Sequence, residues 1–370
     1  MNNQYQICSN CVLDTSEPSL IFDEKGICQY CIRSFQFENL NPLKNSNRSA
    51  LLTDKINLIK NEGKNKEYDC IIGLSGGVDS SYVAYLVKKV YGLRPLAVHL
   101  DNGWNDELAV ANIEGICKKL DIDLYTYVIN WNEFKDLQLS FLHACVANAE
   151  APTDHAIFAT LFNLAVKYKV KYIIDGVNSA TEFQRRGTIA GGYRYDDLKQ
   201  IKGIHKIFGK VPLKTYPMLS IYKKFFLTKL LKTEQFSILN FIDFNKNKAK
   251  EFLKKELDWK EYGAKHHESL FTKWHQVVYL PFKFKFDKRR THLSDLILSN
   301  QIKREDAIKE LQEPALEEAK VKELVDYVKK KLSLSNEDYQ KILTSAPRSY
   351  KDYPNDEFIL GLFLKAKTWF

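Results

Sequence analysis

Length and composition indicate an ordinary globular chain rather than a disordered, fibrous or disulfide-stapled one. The 370 residues correspond to roughly two to three domains, and 45% hydrophobic with 27% charged residues is typical of folded proteins. The net charge of +9 favours anionic partners such as nucleotides, sugar acids or RNA, without choosing among them. No apolar stretch reaches the roughly 18 residues that cross a bilayer, and no signal peptide is visible. We therefore expect a cytoplasmic protein that makes no membrane contact.

Two Cys-x-x-Cys pairs stand at the start of the sequence, and they comprise Cys8, Cys11, Cys28 and Cys31. Two tight pairs separated by a loop suit a tetrahedral metal bound by four thiolates. Because protein fills every position, the metal is expected to be a structural zinc that holds together a segment too short for its own core. An iron–sulfur cluster and redox-active dithiols are the alternatives. The segment carries few basic residues, which argues against nucleic-acid binding.

A β/α rhythm begins after a polar stretch at residues 41–50. Short apolar runs predict strands at 68–74, 96–100, 124–129 and 171–175, and helical patterns separate them. This alternation predicts an α/β fold with a doubly wound parallel sheet. From about residue 220 the strand signal fades and the segments look helical. The expected parts are a zinc-ribbon-like segment (1–45), an α/β domain (46–220) and a mainly helical region (221–370).

The strongest functional signal is a glycine loop between the first predicted strand and the following helix. Gly76 and Gly77 let the backbone approach a ligand closely, and Ser75 and Ser80 add hydroxyl groups. The loop opens onto a helix N-terminus, which favours anions. It lacks the lysine of a Walker loop and the spacing of a dinucleotide fingerprint. The pattern therefore indicates a phosphate site of another kind.

The segment Ser-Gly-Gly-Val-Asp-Ser resembles the pyrophosphate-binding loop of the ATP pyrophosphatases, the PP-loop enzymes. These enzymes cleave ATP between its α and β phosphates and transfer AMP to a substrate oxygen. The resemblance implies that 46–220 is an ATP-binding domain. It also implies that Ser75, Gly76, Gly77 and Ser80 hold the departing pyrophosphate and that Asp79 helps to bind Mg²⁺.

The resemblance extends to two later positions in the predicted sheet. The end of the second strand passes along adenine in this family, which implies contacts from the backbone around His99 and Leu100. A structural role is the alternative for His99. A second glycine turn follows the strand at 171–175. The family pattern implies nucleotide contacts from Gly176 and Asn178 there, and magnesium binding by Glu182.

A closer resemblance covers nearly the whole chain. Seven blocks look like the N-acetyl sugar amidotransferases and occur in the same order: CSNCVLDTSEPSLIFDEKGICQYC, LSGGVDSS, PTDHAIFA, GVNSATE, GGYRYDDLKQIKGIH, GAKHHESLFTKWHQ and LPFKFKFDKRRTHLS. This family serves bacterial surface-glycan pathways. The resemblance implies adenylation of the N-acetyl oxygen of an anionic diacetamido sugar. Replacement of that oxygen by ammonia from a separate glutaminase then gives an acetamidino group.

Candidate catalytic residues lie in the polar blocks of the second half and in the PTDH segment. The candidate cations beside the α-phosphate, or at the anionic end of the sugar, are Lys265, Lys288, Arg289 and Arg290. A solvated basic loop is the alternative for them. The candidates for proton transfer or substrate positioning are His155 and Glu268. Asp79 completes the expected catalytic set.

Two other functions remain open from the sequence. A PP-loop enzyme that thiolates tRNA is the second candidate, and it would use a reactive cysteine near the nucleotide. Cys70, Cys117 and Cys145 fall within predicted strands or helices, where packing roles are usual. A zinc-ribbon scaffold that binds nucleotide without turnover is the third. The sequence does not identify the sugar that is modified.

Overall fold

The computed structural model describes residues 5–36, 47–182, 193–263, 267–359 and 361. A parallel sheet forms its centre and consists of β1 (Cys70–Gly73), β2 (Pro95–Asp101), β3 (Asp123–Val128), β4 (Tyr172–Asp175) and β5 (Glu234–Ser237). The strand order is β3-β2-β1-β4-β5, and every neighbouring pair runs parallel. The structure thus confirms the predicted doubly wound α/β class.

Helices precede the sheet, connect its strands and continue beyond it. Within the described ranges they are α1 (Gln29–Gln36), α2 (Arg48–Gly63), α3 (Val78–Tyr85), α4 (Glu107–Leu120), α5 (Trp131–His143), α6 (Ala151–Lys167), α7 (Ser179–Glu182), α8 (Leu198–Phe208), α9 (Ile221–Lys229), α10 (Lys246–Leu257), α11 (Leu270–Trp274), α12 (Leu280–Phe284), α13 (Arg289–Leu298), α14 (Arg304–Gln312), α15 (Glu318–Leu332) and α16 (Asn336–Thr344). Single π-helical segments extend α3 through Val90 and α11 through Tyr279. The helical C-terminal region is therefore as the sequence predicts.

Both faces of the sheet are covered, because alternate strand residues point to opposite sides. Ile72 belongs to a core with Val83 of α3 and Leu253 of α10. Its neighbour Ile71 belongs to the core on the other side, with Phe162 of α6. The continuous apolar run in β1 therefore reflects burial on both faces.

Strand β5 is a correction to the sequence-based expectation that strands end before residue 220. Its sequence, EQFS, is short and mostly polar, and only Phe236 is buried. It pairs with β4 at the sheet edge, where one side of the backbone is unpaired and periodicity is weak. This strand therefore lies beyond residue 220, in the stretch for which the sequence predicts helices.

A third core joins the C-terminal helices to the α/β part. It contains Trp104 after β2, Phe134 of α5, Trp274 of α11 and Tyr339 of α16. The Nε1 of Trp274 donates a hydrogen bond to the Tyr339 hydroxyl at 3.0 Å. No helix within the described ranges is both long and apolar enough to cross a bilayer.

The strand order creates a topological switch between β1 and β4. The chain leaves β1 toward β2 on one side, whereas β4 lies on the other side of β1. In parallel sheets, ligands bind at the carboxyl ends of strands at such a point, because the connecting helices diverge there. A ligand site is therefore expected beside the residues that follow β1 and β4.

Candidate active site

A cleft lies at this switch point and is walled by three separated segments of the chain. Residues from the loop after β1, the turn after β4 and the stretch from α10 to the start of α11 line it: Ser75, Gly77, Val78, Asp79, Ser80, Gly176, Val177, Glu182, Lys246, Lys250, Trp259, Tyr262, Gly263 and Glu268. The structure thus brings together most of the residues for which the sequence implies phosphate or magnesium binding.

The glycine loop is held open by its own serines and by a tryptophan. Gly76 has φ +79°, which side chains rarely adopt, and an added Cβ would collide with the Ala109 carbonyl oxygen. Backbone conformation and lack of space therefore each require glycine here. Its carbonyl accepts a hydrogen bond from Trp259 Nε1 at 2.8 Å. The Ser80 hydroxyl accepts from the Ser75 amide at 3.2 Å. The loop therefore keeps a fixed shape as it enters α3.

The two glycine turns touch each other. A Cβ on Gly176 would lie 3.1 Å from the Asp79 Cβ, so a side chain there would press on the start of α3. Asn178 does not line the cleft. Its Nδ2 donates to the Gly176 carbonyl at 3.1 Å, and its Oδ1 accepts from the Thr181 amide at 2.9 Å. Asn178 therefore shapes the turn, and its direct contact with nucleotide stays a prediction.

Three carboxylates line the cleft: Asp79 at the start of α3, Glu182 at the end of α7 and Glu268 before α11. Mg²⁺ is usually held by one or two carboxylates together with substrate phosphates and water. Asp79 and Glu182, beside a phosphate-type loop, match that donor set. These two side chains would hold the ion, whose charge would neutralise phosphate oxygens.

Glu268 is fixed in the third wall by contacts with the α/β part. Its carbonyl accepts a hydrogen bond from the Asp106 amide at 2.8 Å. The Tyr262 hydroxyl donates to its Oε2 at 3.2 Å. Burial, reinforced by this carboxylate, raises the pKa of Tyr262, so the phenol remains a donor. Glu268 is thus presented to the cleft together with a neutral tyrosine.

Two lysines line the cleft that were not predicted from the sequence. Lys246 and Lys250 lie four residues apart on α10, so they share one helix face directed at the glycine loop. Lys250 also pairs with Glu261, and this bond is the largest cause of a Glu261 pKa lowered to about 2. The signal was the i, i+4 spacing, but lysines on a polar helix normally indicate a solvated face.

The predicted adenine contacts lie next to the loop but not among the lining residues. His99 is buried in β2, and its Nδ1 is 3.2 Å from the Leu74 carbonyl, one residue before the loop. Its Nε2 is 3.1 Å from Asn105 Nδ2. Burial lowers the pKa of His99. Leu100 is buried in the same strand, so adenine contact by either residue stays a prediction.

His155 serves the core of the protein and does not reach the cleft. It is fully buried in α6, where its Nε2 accepts from the Leu219 amide at 3.2 Å. Its Nδ1 lies 2.8 Å from the Tyr195 carbonyl, and its ring stacks on Tyr216. Burial lowers the pKa of His155. Both ring nitrogens therefore have partners within the core, which leaves neither free for proton transfer, and the alternative role in substrate positioning stays a prediction.

The predicted basic residues of the second half are also absent from the lining. Arg289 binds Asp287 at 2.8 Å, and it donates to the carbonyl oxygens of Glu310 and Glu313. Arg290 binds the buried carboxylate of Asp14 at 3.0 Å. The structure thus gives both arginines structural partners, whereas Lys246 and Lys250 of α10 line the cleft. A role for either arginine at the anionic end of the sugar stays a prediction.

The other two predicted cations have different outcomes. Lys265 lies outside the described residues. Lys288 precedes α13 and does not line the cleft, and its charge contributes to lowering the pKa of His275. A role for Lys288 at the substrate end of the site stays a prediction.

The four cysteines of the ribbon fit a tetrahedral zinc ion. All are buried, and their Sγ atoms lie within 4.8 Å of one another. The Sγ separations are 3.8 Å for Cys8–Cys31, 3.7 Å for Cys11–Cys28 and 3.6 Å for Cys28–Cys31. Four sulfurs at about 2.3 Å from one zinc are about 3.8 Å apart. These residues would hold the ion, whose contribution would be structural.

The ribbon is attached to the C-terminal helices by two arginines. Arg304 of α14 donates to the carbonyl oxygens of Cys11 at 3.0 Å and Cys8 at 2.9 Å. Arg290 of α13 donates to the Val12 carbonyl at 2.9 Å. The metal-binding loop and these helices therefore form one continuous contact.

Comparison with known proteins matches two families to separate parts of the chain. The family described as LPS biosynthesis protein WbpG-like, C-terminal domain, matches residues 268–367. The family NAD synthase matches residues 51–151. The NAD synthase match contains the glycine loop, and the WbpG-like match begins at Glu268, which also lines the cleft. The cleft therefore lies between segments that belong to the two matches.

Several individual proteins are similar to parts of the chain. The uncharacterized protein MJ1599 of Methanocaldococcus jannaschii is 28% identical over 46% of this chain and 58% of its own length. The tRNA-specific 2-thiouridylase MnmA 2 of Fusobacterium nucleatum is 29% identical over 30% of this chain and 34% of its own length. The glutamine-hydrolyzing GMP synthase of Pyrobaculum aerophilum is 30% identical over 39% of this chain and 27% of its own length. The chain thus spans less than two thirds of the length of each of these relatives.

Proposed function

We propose that this chain, which belongs to the WbpG-like PP-loop amidotransferases, is an ATP-dependent, AMP-forming C–N ligase that converts an N-acetyl group of a sugar into an acetamidino group. Its acceptor is an anionic diacetamido sugar. Its nitrogen is ammonia from a separate glutaminase. We place it in the cytoplasm, where ATP is supplied.

The composition of the cleft is the observation that carries the proposal. A glycine loop at a helix N-terminus meets two carboxylates suited to magnesium and two lysines of α10. Such a site suits a triphosphate whose terminal phosphates depart together, since the lysines lie where negative charge accumulates. The carboxylate of Glu268, the first residue of the WbpG-like match, lies beside Gly77 of the loop. This arrangement supports an acceptor that enters from the C-terminal side.

The residues would act in a fixed order. The loop and α10 hold ATP so that the acetamido oxygen can attack the α-phosphorus and pyrophosphate can leave. An O-adenylated imidate results. The amide oxygen, which is a poor leaving group, can then depart as part of AMP. Ammonia then adds to the imidate carbon, and AMP departs to leave the amidine. Lys250 and Lys246 stabilise the crowded negative charge during the first step.

The glutaminase partner rests on chemistry and on one relative. The proposed reaction consumes ammonia, and a relative of this chain is named a glutamine-hydrolyzing GMP synthase. The division into a ribbon (1–45), an ATP-binding domain (46–220) and a substrate or partner region (221–370) is likewise a proposal. Within that scheme, β5 and α10 contribute to the sheet and the cleft from beyond the middle boundary.

The test supplies ammonium chloride in place of the partner. The protein is incubated with Mg-ATP and either a UDP-linked diacetamido uronic acid or a diacetamido nonulosonic acid. Mass spectrometry should detect replacement of oxygen by NH on one acceptor, with one AMP per product. Asp79→Ala should abolish AMP formation, whereas the exposed control Asp54→Ala should retain it. AMP formation by Asp79→Ala at the wild-type rate would contradict the site assignment.

Thiolation of tRNA is the second candidate, favoured by the similarity to a tRNA-specific 2-thiouridylase. That chemistry needs an accessible thiolate near the nucleotide. Cys70, Cys117 and Cys145 are all buried, and burial raises the pKa of Cys117 to about 11. We therefore prefer the sugar substrate. Sulfur incorporation into tRNA, without amidine formation on either sugar, would reverse this preference.

A further inference from the structure

A buried glutamate contacts α11, the helix that follows Glu268, and is not among the residues that line the cleft. Glu150 precedes α6 as its N-cap residue, with only 9% of its surface exposed. Acidic N-cap side chains usually accept a hydrogen bond from amides of their own helix. The Glu150 side chain makes no such bond, and its Oε2 accepts from the Thr272 hydroxyl of α11 at 2.8 Å.

The second carboxyl oxygen of Glu150, Oε1, is buried and is left without a hydrogen-bond partner among the described residues. A buried polar atom normally has such a partner, and leaving it without one costs about 1–3 kcal/mol. The carboxyl group also contacts α11, which begins two residues after Glu268 of the cleft. The position therefore suits a small polar molecule that is used at the cleft.

The charges around Glu150 select a cationic or proton-accepting ligand. Asp154 lies one turn further along α6 and repels a second negative charge. Burial is the larger effect, and together they raise the pKa of Glu150 to about 8. The Nε2 of His275, on the segment that follows α11, donates a hydrogen bond to the Ala147 carbonyl at 2.8 Å, and burial lowers the pKa of His275 to about 4. The cations on or beside these elements are Lys273, which follows Thr272 in α11, and Lys288, whose charge acts on His275.

We propose that Glu150 and Thr272 form the site at which ammonia is held before it enters the cleft, an inference that rests on the proposed function. Ammonia accepts the carboxyl proton on arrival, giving an ammonium ion beside a carboxylate. Asp154 adds a second negative charge to this site. When the adenylated imidate is in place, the proton returns to Glu150 and the nitrogen lone pair forms the bond to carbon. AMP leaves as the C–O bond breaks and takes the proton that the attacking nitrogen loses, so Glu150 ends the cycle protonated, as it began.

The first experiment is independent of turnover. Infrared difference spectra of the whole protein are recorded with ammonium chloride against sodium chloride and against potassium chloride at pH 7. The band of a protonated carboxyl group should disappear with ammonium only. It should be missing from Glu150→Gln and present in the exposed control Glu114→Gln. Absence of an ammonium response, or an equal response to potassium, would overturn the proposal.

The second experiment separates this site from the proposed reaction. Glu150→Gln should raise the KM for ammonium at least 10-fold in amidine formation, while sugar-dependent exchange of pyrophosphate into ATP stays within twofold of wild type. Thr272→Val, which keeps the carboxyl group, should raise the KM less. An unchanged KM in Glu150→Gln would overturn the ammonia site. If wild type shows neither exchange nor amidine, the proposed function fails, whereas the infrared result still decides whether ammonium binds.

Discussion

At the scale of single residues, Gly76 shows how one backbone angle supports the cleft. Its positive φ and its contact with the Ala109 carbonyl leave no room for a Cβ. We expect Gly76→Ala to lower the free energy of unfolding by about 1–3 kcal/mol, because a strained conformation and a collision are combined. It should also weaken ATP binding, since the loop must shift. Urea unfolding and calorimetric titration with a non-hydrolysable ATP analogue measure the two effects.

A second glycine provides the matched control. Gly115 lies within α4, and a Cβ there would meet nothing within 4 Å. Gly115→Ala should therefore leave ATP binding unchanged and stabilise the protein by about 0.5–1 kcal/mol, the usual gain for alanine in a helix. Equal effects of the two substitutions would show that the loop conformation is not the cause.

The two lysines that share Glu261 allow a comparison within one ion-pair network. Lys250 lines the cleft, whereas Lys254 bonds the same carboxylate at 2.7 Å from outside it. We expect Lys250→Gln to reduce AMP formation at least 10-fold, because a positive charge near the phosphates is lost. Lys254→Gln should stay within twofold. Steady-state rates of AMP release measure both, and equal losses would mean that the network matters only for stability.

The sequence predicted the residues whose chemistry is local. The glycine loop and Asp79 are read from adjacent positions, and they do line the cleft. Lys250 could not be found in this way, because only the packing of α10 against α3 turns that polar face toward the loop. The role of His155 could not be read from the sequence either, because it is determined by burial and by two backbone partners that only the fold reveals.

At the scale of elements, α14 supports the ribbon through one side chain. Arg304 donates to two carbonyl oxygens of the first cysteine pair. We expect Arg304→Ala to accelerate zinc release to a chelator by at least threefold, because the loop that carries Cys8 and Cys11 loses its outer support. Lys303→Ala, at an exposed neighbouring position, is the control. Equal release rates for wild type and Arg304→Ala would show that the thiolates alone hold the loop.

The element pattern was predictable where burial imposes it. Strands β1, β2 and β4 are apolar because helices cover both of their faces, so composition alone identifies them. β5 lies at an edge and is mostly polar, and its pairing with β4 is a long-range contact. The same limit applies to the ribbon: its ligands were evident, but its attachment through Arg290 and Arg304 was not.

At the scale of the whole molecule, contacts connect the ribbon to the cleft. The Val12 amide donates to Ser294 of α13 at 3.2 Å, and Ser299 at the end of that helix donates to the Ala180 carbonyl of α7 at 2.7 Å. α7 also carries Glu182 of the cleft. The four-cysteine cluster and the cleft are therefore joined through a single helix.

We expect loss of zinc to lower both stability and ATP affinity. Cys28→Ser should reduce bound zinc and the thermal midpoint. It should also weaken binding of an ATP analogue severalfold, because α13 would no longer be fixed against α7. Ser299→Ala should weaken ATP binding while keeping zinc, which identifies the connecting contact. A zinc-free variant that remains folded with full ATP affinity would contradict this coupling.

The attachment of the ribbon also bears on the order of events during protein synthesis. Val12 bonds to Ser294, and the carbonyl of Cys11 bonds to Arg304. Both partners are synthesised nearly 300 residues after the ribbon. At about 5–20 residues per second, that interval is roughly 15–60 s. Throughout it the four thiols are exposed to oxidants and to competing metals. Early capture of zinc would therefore protect the nascent chain well before the cleft exists.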